Sequence, residues 1–366
     1  MADNNDEYQK SLALALIAVT RALLVIMSLL FFTVMITVGV NYFGLDNILS
    51  LFKSSKTTET TTGLPESQKA TATDLQKSGD WKAPDISGAS EEVKYGHDLI
   101  ANTSYYLGPK GIVAPMTNGM NCQNCHLDAG TKYFGNNYSG VAANYPKFRA
   151  RSGTKESIEK RVNDCMERSL NGKAIDSTSK EMRAIVAYIK WLGSEVPKGS
   201  MPNGVGLVEL PFLDRAADPK KGSELFAVKC VTCHGANGSG VAKSDGTGYT
   251  YPPLWGANSY NIGAGLYRLS RLAGYVKANM PLGATKDNPQ LTDEEAWDIA
   301  AFINTQPRPA KDLRHDWPDI SKKPVDHPFG PYSDGFSEAQ HKLGPFGPIK
   351  KLADEKKKKS EQAKSI

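Results

Sequence analysis

The longest apolar stretch of the chain lies near its start: from Ala22 to Val40 no residue is charged, and apolar character reaches back through Leu12 to Val19, broken at Arg21. A run of this length crosses the hydrocarbon core of a bilayer as a helix. It exceeds the apolar segment of a signal peptide, and no small-residue cleavage site follows it, so an uncleaved N-terminal anchor is predicted, with Arg21 snorkelling to the near interface. From Lys53 to Ser78 the pattern dissolves into Ser, Thr, Lys and Gln. Such a segment buries too little apolar surface to order itself and reads as a flexible linker.

Beyond the linker, helical spacing occurs in two similar rounds. Glu91–Ser104 and Asp218–Val228 each read as an amphipathic helix with a glycine on its face, Gly96 and Gly222. Each round closes on a second helix that opens with a T-x-x-E capping box, Thr178/Glu181 and Thr292/Glu295. Behind the boxes, Met182, Ile185, Ile189 and Leu192, then Trp297, Ala300 and Ala301, form the apolar stripes. Between the helices of each round lies C-x-x-C-H: Cys122, Cys125, His126 and Cys230, Cys233, His234. The pattern attaches haem c through two thioethers and presents the histidine to iron.

The layout resembles the small α-helical cytochrome c fold, so the expected class is mainly α, with two tandem cytochrome c-like domains after one transmembrane helix. The expected divisions are residues 1–52 as cytoplasmic stub and anchor, 53–84 as linker, 85–200 as the first haem domain and 201–309 as the second. Residues 310–349 are expected to form an extended arm over both, and 350–366 a disordered tail. Tyr105–Asn121 is an insertion in the first round, and Ser194–Leu213 the connector. Because haem c is attached outside the bacterial cytoplasm, the expected location is the inner membrane, with both haem domains in the periplasm.

The length of 366 residues and 40% hydrophobic content allow two cores. The net charge of +5 is concentrated in the tail, where seven lysines follow Ile349, so no nucleic-acid footprint is present.

Four of the five cysteines are committed to haem, which leaves Cys165. If Thr154–Leu170 is a helix stopped at Asn171-Gly172, then Arg161, Cys165 and Ser169 share one face. A cation beside a thiol favours the thiolate that binds metal. Cys165 is therefore a candidate sixth ligand of the first iron; Met166 is its rival, and a buried free cysteine also fits the spacing. In the second round, Met280 is the only methionine after Met201 and is the candidate ligand of the second iron, with a packing role as the alternative.

The stretches Phe148-Arg-Ala-Arg151-Ser-Gly153 and Arg161 to Gly172 resemble the dihaem thiosulfate dehydrogenase (tetrathionate synthase) family. The likeness continues through Asn118–His126, Tyr251–Gly256, Asn261–Gly265 and Lys323–Tyr332. It implies that Cys165 ligates an active-site haem and that Arg151, Arg161 and Ser169 line a pocket for thiosulfate and tetrathionate. It also implies that the second haem passes electrons to a small cytochrome c or another periplasmic or membrane acceptor. Some members carry a ligating lysine just before the second-haem methionine; here that position is Asn279. A non-catalytic dihaem electron relay would need neither Cys165 nor the arginines, and a dihaem peroxidase would need an open iron.

Overall fold

The computed structural model describes residues 81–364 and, ahead of them, Thr20, Leu23, Leu24, Ile26, Met27, Ser28 and Leu30. Most of the Ala22–Val40 run lies outside that set, as does the expected linker apart from residues 81–84, where the Trp81 indole donates to the Leu192 carbonyl at 2.9 Å. Among the described residues no helix is long and apolar enough to cross a membrane.

The elements that matter, in chain order, are helix α1 (Glu91–Ala101), the antiparallel hairpin β1 (Lys147–Arg149) with β2 (Thr154–Glu156), α2 (Ile158–Arg168) and α3 (Lys180–Leu192). They are followed by α4 (Pro219–Lys229), the hairpin β3 (Val241–Ala242) with β4 (Tyr249–Tyr251), α5 (Leu269–Asn279), α6 (Asp293–Thr305) and α7 (Gly347–Lys364). Two apolar cores result. Leu99 and Ile100 of α1 pack with Met182, Ile185 and Tyr188 of α3 in the first. Phe226 of α4, Leu272 and Val276 of α5, and Trp297 and Ile299 of α6 form the second.

The same device sets the helix crossing in both cores. A methyl group on Gly96 would drive into the Ala184 carbonyl of α3, and one on Gly222 into the Asp298 carbonyl of α6. Glycine at these two points lets backbone meet backbone, the close approach that brings the first and last helices of each domain together. Gly96→Ala should accordingly cost about 1–3 kcal/mol through overpacking against a carbonyl that cannot rotate away. Thermal denaturation would read this as a Tm lowered by several degrees, and an unchanged Tm would contradict the crossing as described.

Several local expectations are revised. The cap of α3 is Ser179, whose hydroxyl accepts from the Met182 amide at 3.1 Å, not Thr178. Thr178 is occupied with Asp176 at 2.9 Å, and Glu181 accepts from the Tyr95 hydroxyl at 3.0 Å, tying α3 to α1. The helix anticipated from Thr154 starts later, because Thr154–Glu156 pairs with Lys147–Arg149 and Ser157 caps α2.

The lysine-rich tail is helical over its described part rather than disordered. Phe346 and Ile349, both almost fully buried in the second core, anchor the start of α7. Lys350–Asp354 and Lys357–Glu361 ion pairs, one turn apart, support its exposed remainder. Ahead of it, the arm touches both haem domains: Asp316 pairs with Arg168, and Asp326 with Arg268.

Candidate active site

Cys122, Cys125 and His126 open onto a cavity of about 440 Å³. Tyr138 stacks on the His126 ring with centroids 4.5 Å apart. His126 Nδ1 lies 2.6 Å from the Asn136 carbonyl oxygen. A carbonyl can only accept, so Nδ1 carries the proton and Nε2 keeps its lone pair. His234 is set in the same way, its Nδ1 donating to the Pro252 carbonyl at 3.0 Å. Each imidazole is thereby fixed in the tautomer that offers Nε2 to a metal.

Helix α2 also lines the cavity. Arg161, Cys165 and Ser169 all line it, as their shared helical face anticipates. His126 and Cys165 line the same cavity and act on each other electrostatically. Burial pushes the Cys165 thiol up, but Arg161, the neighbouring His126 and Arg151 outweigh it and bring the thiol down to about 7. By contrast, burial pushes Cys122 up to about 11 and Cys125 to about 12. Of the three cavity cysteines, Cys165 alone is poised as a thiolate. Met166, the rival, is 1% exposed and packed in the first core.

The basic residues divide into committed and uncommitted charges. Arg151 gives its Nη2 to Asp164 at 2.5 Å, and Lys160 reaches the other Asp164 oxygen, also at 2.5 Å. Arg168 forms a two-pronged pair with Asp316 at 2.8 Å on each arm. Arg161 is different: the charge that chiefly holds its guanidinium above its ordinary value is the Cys165 thiolate. Arg151, expected to line the anion pocket with Arg161, thus shares its charge with a buried carboxylate.

Sequence reasoning passed over several cavity residues. Arg149 of β1, Arg268 just ahead of α5 and Arg271 of α5 all line it, the last two from the second domain. Trp317 of the arm lines it too, in the left-handed region at φ 59°, with its amide bonded to the Arg151 carbonyl at 2.6 Å. Asn261, within one of the stretches that carried the family likeness, clamps the end of α2 by donating to the Glu167 carbonyl and to Asn171, both at 2.8 Å.

In the second domain, Cys230, Cys233 and His234 lie at the end of α4 and the turn after it. Met280 follows α5 directly and packs, half-buried, against the second core. Asn279 is buried and donates to the Phe134 carbonyl at 3.1 Å and the Tyr275 carbonyl at 3.1 Å, which fixes it away from ligand duty. The residues fit haem c at both sites: paired free thiols, an imidazole with its Nε2 lone pair exposed, and, around the first site, cations for the ring's carboxylates.

Two haem-attachment domains in tandem, the first with a thiol and arginines in the same cavity as its histidine, define a dihaem c-type cytochrome. The family model "SoxA/TsdA, cytochrome c domain" matches residues 113–197, and "Cytochrome c" matches 219–307. The chain is 42% identical over 196 residues to a thiosulfate dehydrogenase of Allochromatium vinosum, which covers 52% of this chain and 71% of that protein. It is 39% identical over 222 residues to one of Psychrobacter arcticus, covering 60% and 64%. Among solved structures, thiosulfate dehydrogenase (TsdBA) of Marichromatium purpuratum in its "as isolated" form superposes with a TM-score of 0.60 at 30% identity, over 66% of this chain and 52% of that one. This chain therefore spans about half of that larger protein. It belongs to the thiosulfate dehydrogenase family, an enzyme family, and carries two covalently bound haems c.

Proposed function

We propose that the protein couples two thiosulfates oxidatively to tetrathionate, or runs the reverse, at the first haem, and passes electrons through the second haem to an external acceptor. The observation that carries this reading is that His126 and Cys165 line one cavity, with the cation of Arg161 acting on the sulfur. His126 and Cys165 would hold the first iron; His234 and Met280 would hold the second. When bound, the two haems supply one-electron acceptors, one for each electron released.

The chain's own part is electrostatic. Two thiosulfate dianions must approach until a bond forms between their sulfane sulfurs; two electrons leave, and no proton moves. Arg161 offsets that repulsion and grips sulfonate oxygens by charge-assisted hydrogen bonds. Arg151, steadied by Asp164, supports it from the adjacent hairpin, and the Ser169 hydroxyl donates at the end of α2. Arg168 is held out of this role by Asp316, and instead fastens the arm that brings Trp317 to the cavity.

Met280→Ala is expected to abolish the near-infrared charge-transfer band of a Met-ligated ferric haem; a surviving band would place another ligand on that iron. The anchor is part of the proposal too, resting on the Ala22–Val40 run, with both haem domains on the periplasmic side. Recovery of the full-length chain from cells without detergent would contradict it. The function itself is tested by adding thiosulfate to purified protein with ferricyanide: substrate-dependent ferricyanide reduction is expected. Failure of thiosulfate to drive it, with haems that still accept electrons from a reductant, would leave an electron relay.

A further inference from the structure

Helix α5 belongs to the second domain, yet three of its residues serve the first haem's surroundings. The Tyr275 hydroxyl donates to the carbonyl of Asn124, the residue between Cys122 and Cys125, at 2.7 Å. Asn279 reaches Phe134, and Arg271 lines the first cavity. Met280 then follows at the helix end.

Arg268, one turn before Arg271, is fully engaged: its Nε and Nη2 meet Asp326 Oδ1 at 2.8 and 2.5 Å, while the other Asp326 oxygen accepts from Ser270. Arg271 has no side-chain ion pair or hydrogen bond among the described residues. Burial pulls its guanidinium below the ordinary value, the cations Arg268 and Arg149 pull the same way, and Glu209 and Asp326 offset them only in part. Arg149 lines the same cavity, repels Arg271 and has only a loose ion pair, to Glu156 at 4.0 Å. Two arginines sharing one cavity carry a desolvation and repulsion cost that an anion bound by both would reduce.

The position selects which anion. Haem c is tied to Cys122 and Cys125 by its former vinyl groups, and its two propionates leave the opposite edge of the ring. Tyr275 marks the attached edge; Arg271 precedes it by one turn on the same helix face, about 6 Å along the axis. We infer that Arg271, with Arg149 lining the same cavity, binds a propionate of the first haem from the second domain. On this reading, which rests on haem attachment at Cys122 and Cys125 and not on the substrate, α5 fixes both cofactors: a carboxylate of the first through Arg271 and the iron of the second through Met280.

The holoprotein tests this by resonance Raman spectroscopy and redox titration. Arg271→Leu should shift a haem propionate bending band. It should also lower the midpoint potential of the first haem, since loss of a cation favours the ferric form, and leave the second unchanged. Arg271→Lys should restore most of the potential. Arg149→Gln, in a surface hairpin, should shift the same band and provides the second reading if Arg271→Leu accumulates poorly. A propionate band unchanged in these variants overturns the inference, whether or not KM for thiosulfate rises; a raised KM with that result would assign Arg271 to substrate.

Discussion

Cys165→Gly should abolish thiosulfate oxidation, with a loss of at least about 10³-fold, as expected when one member of a concerted site is removed. The same change should eliminate the thiolate-type low-spin EPR signal of one haem and spare the other. Cys165 shares the cavity with His126, and no other cavity cysteine has a depressed thiol. Glycine inside a helix costs only about 1 kcal/mol relative to alanine, and α2 is held independently by Asn261 at its end and Ser157 at its start. Lost activity in a folded, dihaem-loaded variant would therefore report the sulfur and not a collapsed domain. Near-normal turnover would remove Cys165 from the mechanism.

Arg161→Leu is expected to reduce kcat/KM by on the order of 10²–10³-fold, the scale for losing a donor aimed at developing or apposed charge. Arg161 is the cation chiefly coupled to Cys165, whereas Arg151 is already balanced by Asp164. The loss should thus be larger for Arg161→Leu than for Arg151→Leu. Steady-state kinetics on both variants checks this ranking; equal losses, or a larger one at Arg151, would mean that the Asp164 pair opens during turnover.

What could be read from the sequence was chemistry confined to short spans. Two C-x-x-C-H motifs announce themselves without tertiary information, and Arg161, Cys165 and Ser169 fall on one face because helical spacing alone decides it. The Thr292/Glu295 box is also local and forms as read, with both reciprocal hydrogen bonds. Where two local options compete, pattern fails. Thr178 and Ser179 both suit an N-cap, and the choice is settled by Asp176 and Tyr95 engaging Thr178 and Glu181. Thr154–Glu156 could extend α2 but finds a strand partner instead. The tail lysines read as a charge run, yet burial of Phe346 and Ile349 starts a helix that ion pairs one turn apart continue.

The second-domain side of the site was not legible at all. Arg271 lies far along the chain from Cys165 and has no motif of its own; only the docking of α5 onto the first haem loop, through Tyr275 and Asn279, brings it there. Trp317 is similar, since its place depends on Asp316 meeting Arg168. Asp164 carried no signal either: a carboxylate beside a candidate ligand reads as solvated until Arg151 and Lys160 are seen to converge on it.

The central claim, sulfur–sulfur coupling by this protein, is tested most directly by the stoichiometry of a single reaction. Thiosulfate consumed, tetrathionate formed and acceptor reduced would be quantified together with purified holoprotein. The account predicts two thiosulfates lost and two electrons delivered for each tetrathionate formed. Acceptor reduction accompanied by sulfite or sulfate in place of tetrathionate, or no consumption of thiosulfate while the haems remain redox-active, would contradict it.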